Sequence, residues 1–255
     1  MARESKAGTK RWNWRLLLGI AVLVLVTASA AMATLKVRRF VNIDPQFTLS
    51  RDRKDSLQIE GLRYGSRAKV LRAFAPDFDR SVFATPLDER RRRLLAIDWV
   101  EQASVSRIWP DRLAIRIRER KPIAFVSFRS GVLLIDSYGV LLDPPPQAQF
   151  AFPVLSGIRE TDTQEQRRER VRAFLRVQEE MGYLAKDISE VNTADPDDIR
   201  IVAQVEDRAV ELHLGDSDFG RRYQNFLNHY PEIRKRSPEV KRFDLRLDDR
   251  ITAKE

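Results

Sequence analysis

The chain has 255 residues, 43% of them hydrophobic, and no cysteine. That leaves room for one or two domains with a real core, and it excludes a disulfide framework, thiolate metal sites and a cysteine nucleophile. The net charge of +9 invites a nucleic-acid reading, but the excess is graded along the chain: +7 over residues 1–40, +6 over 51–120 and −3 over 121–255. A DNA-binding stripe concentrates charge on the folded domain, whereas an excess toward the N-terminus suits a surface near anionic lipid headgroups.

Leu16 to Leu35 is a run of twenty uncharged residues. At about 1.5 Å per residue it spans roughly the 30 Å hydrocarbon layer. Trp12 and Trp14 stand at its leading edge, where indoles favour the interface. Arg3, Lys6, Lys10, Arg11 and Arg15 precede it and favour a cytoplasmic N-terminus, although Lys36, Arg38 and Arg39 follow directly. A cleavable signal peptide is the competing reading. The strongly apolar part is Leu16 to Val26, and Ala28-Ser29-Ala30 and Ala31-Met32-Ala33 both have the small-residue spacing of a cleavage site. Either way the remainder crosses the membrane.

Residues 36–56 are polar without a clear period and read as a tether. Leu57 and Ile59 alternate before Gly61, a short strand and a turn. Val70, Leu71 and Phe74 form a helical stripe closed by Pro76. Thr85-Pro86-Leu87-Asp88 has the order of an N-cap and first turn, and Leu87, Leu94 and Leu95 supply that helix's inner face. Trp99–Arg107 and Leu113–Ile117 are two strands joined at Ile108-Trp109-Pro110-Asp111, with Leu113, Ile115 and Ile117 opposite Arg116 and Arg118. The order is β-α-α-β-β, and Lys121-Pro122 marks its end.

Beyond it the pattern predicts strands at 123–128 and 132–135, a turn at Ser137-Tyr138-Gly139 and a Pro-rich loop at 144–146. A helix is predicted over 163–181, with Thr163 and Gln166 forming a capping box and Gly182 stopping it. Strands follow at about 187–193, 198–205 and 208–214. The helix 217–230 presents Phe219, Tyr223, Phe226, Leu227 and Tyr230 on one face, with Pro231 at its end. A strand at 240–247 and a last one at 250–253 close the chain.

Signatures of chemistry are missing from this sequence: there is no serine elbow, HExxH, glycine-rich phosphate loop or Walker lysine. His213 should face outward from a strand, and His229 lies on a helix without a metal-ligating neighbour. The run Arg90–Arg93 sweeps a full helical turn, so its members do not share one ligand, and it reads as a solvated face. No catalytic, metal or cofactor residue is expected.

Leu57-Gln58-Ile59-Glu60-Gly61 resembles the opening of a POTRA domain of the FtsQ/DivIB cell-division family. Ile97 to Asp143 resembles the family's most recognisable block: Trp99-Val100, the Trp109-Pro110 hairpin, the Ile-x-Ile-x-Glu-Arg-x-Pro-x-Ala strand from Ile115 to Ala124, and the turn from Ile135 to Gly139. Phe152-Pro153-Val154-Leu155-Ser156-Gly157, Leu212-His213-Leu214-Gly215 and Phe243-Asp244-Leu245-Arg246 resemble the segments that follow. The resemblance covers about 57–253.

It implies an α+β protein: a cytoplasmic tail (1–15), a single transmembrane helix (16–35), a tether (36–56), a POTRA domain (57–121), and an extended mixed β domain with two helices (122–255). The implied function is a non-enzymatic divisome scaffold in the inner (plasma) membrane, with its C-terminal domains periplasmic. The implied partners are the FtsB/FtsL coiled-coil pair and other divisome proteins, with no nucleic acid, small-molecule substrate or cofactor. Some relatives continue past the Asp-Leu-Arg strand through an aromatic residue used in partner contact, where this chain has Lys254-Glu255. The resemblance also makes Trp99–Arg107 the candidate free edge of the POTRA sheet. Two alternatives are a secreted POTRA-type polypeptide-handling protein with a cleaved signal, which calls for a long barrel-like alternation that 122–255 lacks, and a periplasmic hydrolase, for which no nucleophile–base pair is visible.

The strand 240–247 is the candidate partner site. As the end strand of a sheet it offers unpaired N–H and C=O groups to an incoming peptide strand. Its alternation places Phe243, Leu245 and Leu247 inward and Arg246 outward. Arg246, Asp244, Arg242 and Leu247 are the candidate partner-binding residues, with Arg246 set to pair with an acidic residue of an FtsB-like partner.

Overall fold

The computed structural model describes residues 14–146, 148–247 and 250–254, apart from the side chains of 15–17. Arg3, Lys6, Lys10, Arg11 and Trp12 lie outside the described residues, as do Asp248, Asp249 and Glu255. The described chain divides into two compact units, one of residues 1–60, 71–91 and 104–115, the other of 61–70, 92–103 and 116–255.

Helix α1 (Trp14–Ile43) is continuous, and its stretch Leu18–Ile43 is long and apolar enough to cross a membrane. It runs past Leu35 because Lys36, Val37, Arg38 and Arg39 contain no breaker; Asp44-Pro45 is the first. The Asp44 side chain accepts from the Gln46 N–H, and Pro45 to Phe47 make one 3₁₀ turn. Residues of the expected tether are then packed rather than loose: Phe47 and Leu49 are buried. Leu49 N–H donates to Arg80 O and Val82 N–H to Phe47 O, each at 2.9 Å.

β1 (Leu57–Glu60), α2 (Arg67–Ala73), α3 (Leu87–Leu95), β2 (Val100–Ile108) and β3 (Arg112–Glu119) follow in the expected β-α-α-β-β order. The sheet order is β1-β3-β2, so β2 is an edge. Leu113, Ile115 and Ile117 are buried and Arg116 and Arg118 exposed, as the alternation requires. Three expectations fail here. Leu71 and Leu95 are each 36% exposed. The Thr85 hydroxyl is buried without a hydrogen-bond partner, so it does not cap α3. Arg90 is not solvated: its side chain is 5% exposed against 3% for Asp77, and its Nη2 donates to Asp77 Oδ1 at 3.0 Å. A helical turn in which one arginine points inward needs a buried carboxylate opposite it, and Asp77 is thirteen residues away.

Glu119 and Arg120, the Glu-Arg of the strand motif, hold backbone. The Glu119 carboxylate accepts from the N–H groups of Arg63, Tyr64 and Gly65 at 2.9, 2.9 and 2.6 Å. Arg120 donates to Asp98 O at 2.9 Å and to buried Asp136 at 2.9 Å. Asp136 in turn accepts from Tyr138 and Val140 N–H in the Asp-x-x-Gly turn. Gly61, at φ +80°, has room for no side chain: a Cβ there would stand 1.9 Å from Ile117 O.

The remainder forms one nine-stranded sheet. Its strands are β4 (Pro122–Phe128), β5 (Gly131–Asp136), β6 (Leu141–Leu142), β7 (Val154–Ser156), β8 (Ile188–Asn192), β9 (Ile199–Val205), β10 (Arg208–Gly215), β11 (Arg242–Asp244) and β12 (Thr252–Lys254). Their order is β12-β11-β10-β9-β8-β7-β4-β5-β6. Two α-helices, α4 (Gln164–Met181) and α5 (Phe219–Arg236), and a 3₁₀ segment, Gly182–Asp187, accompany the sheet. Thr163 and Gln166 make the predicted capping box. α5 differs from expectation: Pro231 lies inside it rather than at its end. Pro231 removes one i→i−4 bond, but Tyr230 is buried on one side of it and Ile233 packs against the core on the other. That apolar face carries the helix five residues further. Val171, Phe174, Val177 and Met181 of α4, with Phe219, Tyr223, Phe226 and Tyr230 of α5, form one core with Ile201, Val210, Leu212, Leu214, Phe243 and Leu245 of the sheet side.

Candidate functional site

The end of the nine-stranded sheet is built from β10, β11 and β12. Parallel pairing sets Leu212 beside Phe243 and His213 beside Asp244; antiparallel pairing sets Phe243 beside Ala253 and Asp244 beside Thr252. Because side chains alternate with period two, Leu212 and Phe243 turn together into the core, where Phe243 meets Phe226 and Tyr230 at 5.1 and 6.3 Å. Arg200, Glu211, His213, Arg242, Asp244 and Lys254 share the opposite face.

That face carries a charge network. Arg246 grips Asp244 with two bonds, Nε to Oδ1 at 2.9 Å and Nη2 to Oδ2 at 2.6 Å. Lys254 Nζ reaches the same carboxylate at 3.1 Å. Hydrogen bonding from Arg246, opposed by partial burial and helped by Lys254, holds the Asp244 carboxyl far below the usual carboxylate range. The same bond raises the Arg246 guanidinium. Asp198 lies next to this pair: its Oδ2 meets Arg200 Nε at 3.1 Å and His213 Nδ1 at 3.0 Å, and its Oδ1 is 3.9 Å from Arg246 Nε. That Oδ1 is buried with no hydrogen bond. Arg242 Nε stands 3.7 Å from Glu211. Gly215 takes φ +78°, and a Cβ there would stand 2.8 Å from Arg222 Nη1 and 3.3 Å from Arg246 Cγ.

The structure brings Arg242, Asp244 and Arg246 together and departs from the sequence in four respects. The strand 240–247 is only Arg242–Asp244. It is not the edge, because β12 pairs along it. Leu247 is 53% exposed rather than inward: pairing ends with the bond from Leu245 N–H to His213 O, and the alternation ends with it. His213 lies on the face opposite the helices, as expected, but Asp198 and Glu211 cover it, and its side chain is 8% exposed. Leu247 instead rims a groove of about 280 Å³, lined also by Arg221, Arg222, Asn225, Leu245 and Ile251. Sequence reasoning missed Asp198, Arg200, Glu211 and Lys254, whose charges acquire partners only through cross-strand pairing. The one visible trace was the acidic 195–198 turn.

An N-terminal helix long and apolar enough to cross a membrane, a small β-α-α-β-β domain and a nine-stranded mixed sheet with a charged end define a two-domain α+β protein of the kind built behind one N-terminal apolar helix. Two family models match in tandem: the POTRA domain, FtsQ-type, over residues 55–120, and the C-terminal domain of cell division protein FtsQ/DivIB over 124–246. Cell division protein FtsQ of Koribacter versatilis is 36% identical over 203 residues, 77% of this chain and 58% of that protein. The match thus spans less than two thirds of that relative's length. FtsQ of Shewanella oneidensis is 25% identical over 248 residues, 96% of this chain and 88% of that one. The major extracytoplasmic domain of DivIB from Geobacillus stearothermophilus matches with a TM-score of 0.28 at 19% identity, covering 47% of this chain and 95% of that domain. The chain belongs to the FtsQ/DivIB family of cell-division proteins.

Proposed function

We propose that this chain is a non-enzymatic, single-pass divisome scaffold that binds an FtsB/FtsL-like coiled-coil pair through the end of its large sheet. In this reading residues 1–15 are cytoplasmic, 16–35 cross the membrane, 36–56 connect, and the POTRA (57–121) and β (122–255) domains lie outside the cytoplasm. The uncharged span within α1 and the basic residues before it support the anchor and its orientation. The edge position of β2 supports a second contact surface for another divisome protein.

The observation that carries the proposal is the sheet end. Among the described residues β12 has a β-strand neighbour on one side only, and an end strand of this kind can take up a partner strand on its other edge. Arg246 stands on the inner side of β12, over Asp244 of β11 and toward the Asp198 turn, with 46% of its side chain exposed to a partner that lies across this end of the sheet. A partner carboxylate would share Arg246 with Asp244 rather than meet a free cation. That lowers the worth of the contact toward about 1 kcal/mol, or roughly a fivefold change in affinity. Leu247 and the groove beside it accept an apolar residue of the same partner.

The test is binding of the full-length chain, in nanodiscs, to a purified FtsB/FtsL-like pair. Arg246→Glu is expected to weaken binding at least roughly fivefold, since it reverses the charge as well as removing the bond. Unchanged affinity of a folded Arg246→Glu protein removes Arg246 from the interface. Deleting 248–255 tests strand addition separately, and retained affinity there overturns it.

A further inference from the structure

Helix α1 emerges into a tightly connected part of its own unit. Ser81 Oγ donates to Val41 O at 2.8 Å, on the last turn of the helix. From Phe40 a line of edge-to-face rings leads away from the helix: Phe40 to Phe47 at 6.0 Å, then Phe47 to Phe83 at 5.4 Å. The Arg107 guanidinium lies 5.8 Å from the Phe83 ring. It also donates to Val82 O, Phe83 O and Thr85 O at 2.8, 3.3 and 2.9 Å. Two residues past Arg107 is Trp109, at the tip of the β2–β3 hairpin and 70% exposed. Arg53 holds the other side of that tip through Asp111. None of these contacts gives the indole a partner in the core.

We infer that this hairpin tip rests on the lipid surface beside the emerging helix, with Trp109 and Phe83 in the headgroup layer. The inference rests on α1 being a membrane anchor. From Leu35, the last residue of the uncharged span, to Ile43 is about 12 Å of helix, against a headgroup layer of roughly 5–8 Å on each side. Phe40 therefore sits at the level of the headgroups, and the ring line and Arg107 tie the hairpin to that level. The chemistry of the patch suits an anionic bilayer. Indole and phenyl rings favour the interface, and Lys36, Arg38 and Arg39 on the helix, with exposed Arg80 next to Ser81, face phosphates at the same depth. The acids nearby are engaged, Asp111 with Arg53 and Asp79 within 3.7 Å of Arg51. The patch converts a single-helix tether into a two-point seat on the bilayer.

The test uses the full chain reconstituted in phosphatidylcholine/phosphatidylglycerol nanodiscs containing a lipid with a doxyl quencher near the carbonyl. In a Trp12→Phe/Trp14→Phe protein the remaining indoles are Trp99, which is 5% exposed, and Trp109. Subtracting the signal of the same protein carrying Trp109→Phe isolates Trp109. Its emission is expected to be blue-shifted and largely lost to the quencher, and less so in pure phosphatidylcholine. A parallel Trp109→Phe protein retaining Trp12 and Trp14 reports insertion of the helix. Quenching of that control with an unquenched Trp109 overturns the inference and leaves the anchor standing. Quenching of neither overturns both.

Discussion

Phe243 is where core and candidate site meet, so Phe243→Ala is the sharpest perturbation of the sheet end. The ring is 1% exposed and packed against Phe226 and Tyr230. A buried aromatic removes about 150–250 Å² from water, worth roughly 4–6 kcal/mol at about 25 cal/mol per Å². Alanine keeps part of that area while the hole adds a penalty, so the expected loss is about 3–5 kcal/mol. With an m value of about 2 kcal/mol per M, the urea midpoint of the full-length chain in detergent falls by roughly 2 M. The loss should also have a place. β11 is three residues long and depends on Phe243 for its anchorage, so amide exchange in 242–254 accelerates more than in β4 and β5. Phe243→Leu, which keeps most of the volume, costs less than about 1.5 kcal/mol and leaves exchange at the sheet end near the parent's. A midpoint shift under about 0.5 M for Phe243→Ala, or acceleration spread evenly over the sheet, refutes the idea that this ring holds the strand.

Arg90→Ala strands the Asp77 carboxylate in the core and costs about 3–5 kcal/mol, whereas Asp77→Leu with Arg90→Met returns to within about 2 kcal/mol of the parent. Urea titration of both proteins checks this, and a double variant no better than the single one refutes it. Tyr223 gives an alkaline limit: burial, with Asp187 nearby, pushes its phenol up to about 12 from an ordinary 10.0. A phenol whose pKa is raised in the folded state stabilises fully below pH 10. That contribution, about 2–3 kcal/mol, is lost as pH rises from 10 toward 12. Tyr223→Phe should flatten the stability curve in that interval, and parallel curves would show that another group sets the limit.

Much of the fold could be read from the sequence because its signals are local. Alternation at Leu113, Ile115 and Ile117, the capping box at Thr163 and Gln166, and the apolar stripe of α5 each specify an element within a few residues. The Glu-Arg of the strand motif was legible as a pattern but not as a cause: nothing in Glu119 announces that it will hold three backbone N–H groups more than fifty residues earlier. Arg90 was misread for the same reason, since its partner is not its helical neighbour. At the candidate site, Arg242, Asp244 and Arg246 were legible because they belong to one strand and its continuation. Asp198, Arg200, Glu211 and Lys254 were not, because they come from one turn and three other strands and meet only after pairing. The position of β12 outside β11 lay beyond periodicity altogether, since period and composition say nothing about strand order.

The strand order has a mechanical consequence. β7, three residues long, is paired in parallel on both sides, to β4 through Phe125 and Val154 and to β8 through Val154 to Ser156. On one side of it stands the antiparallel group β4-β5-β6; on the other, β8, β9 and β10 pair antiparallel in sequence, with β11 and β12 added at the end. Each group zips up from short-range hairpins, but joining them requires β7 to close two long loops. Within the sheet the two groups meet only at this three-residue strand; outside it they are held by the shared core and by α4, whose Arg167 donates to Gly139 O and Gln164 to Tyr138 O in the β5–β6 turn. A load on the sheet end therefore reaches β4 by two routes, the short parallel pairing of β7 and the packing of α4, and α4 is the route that does not depend on strand register.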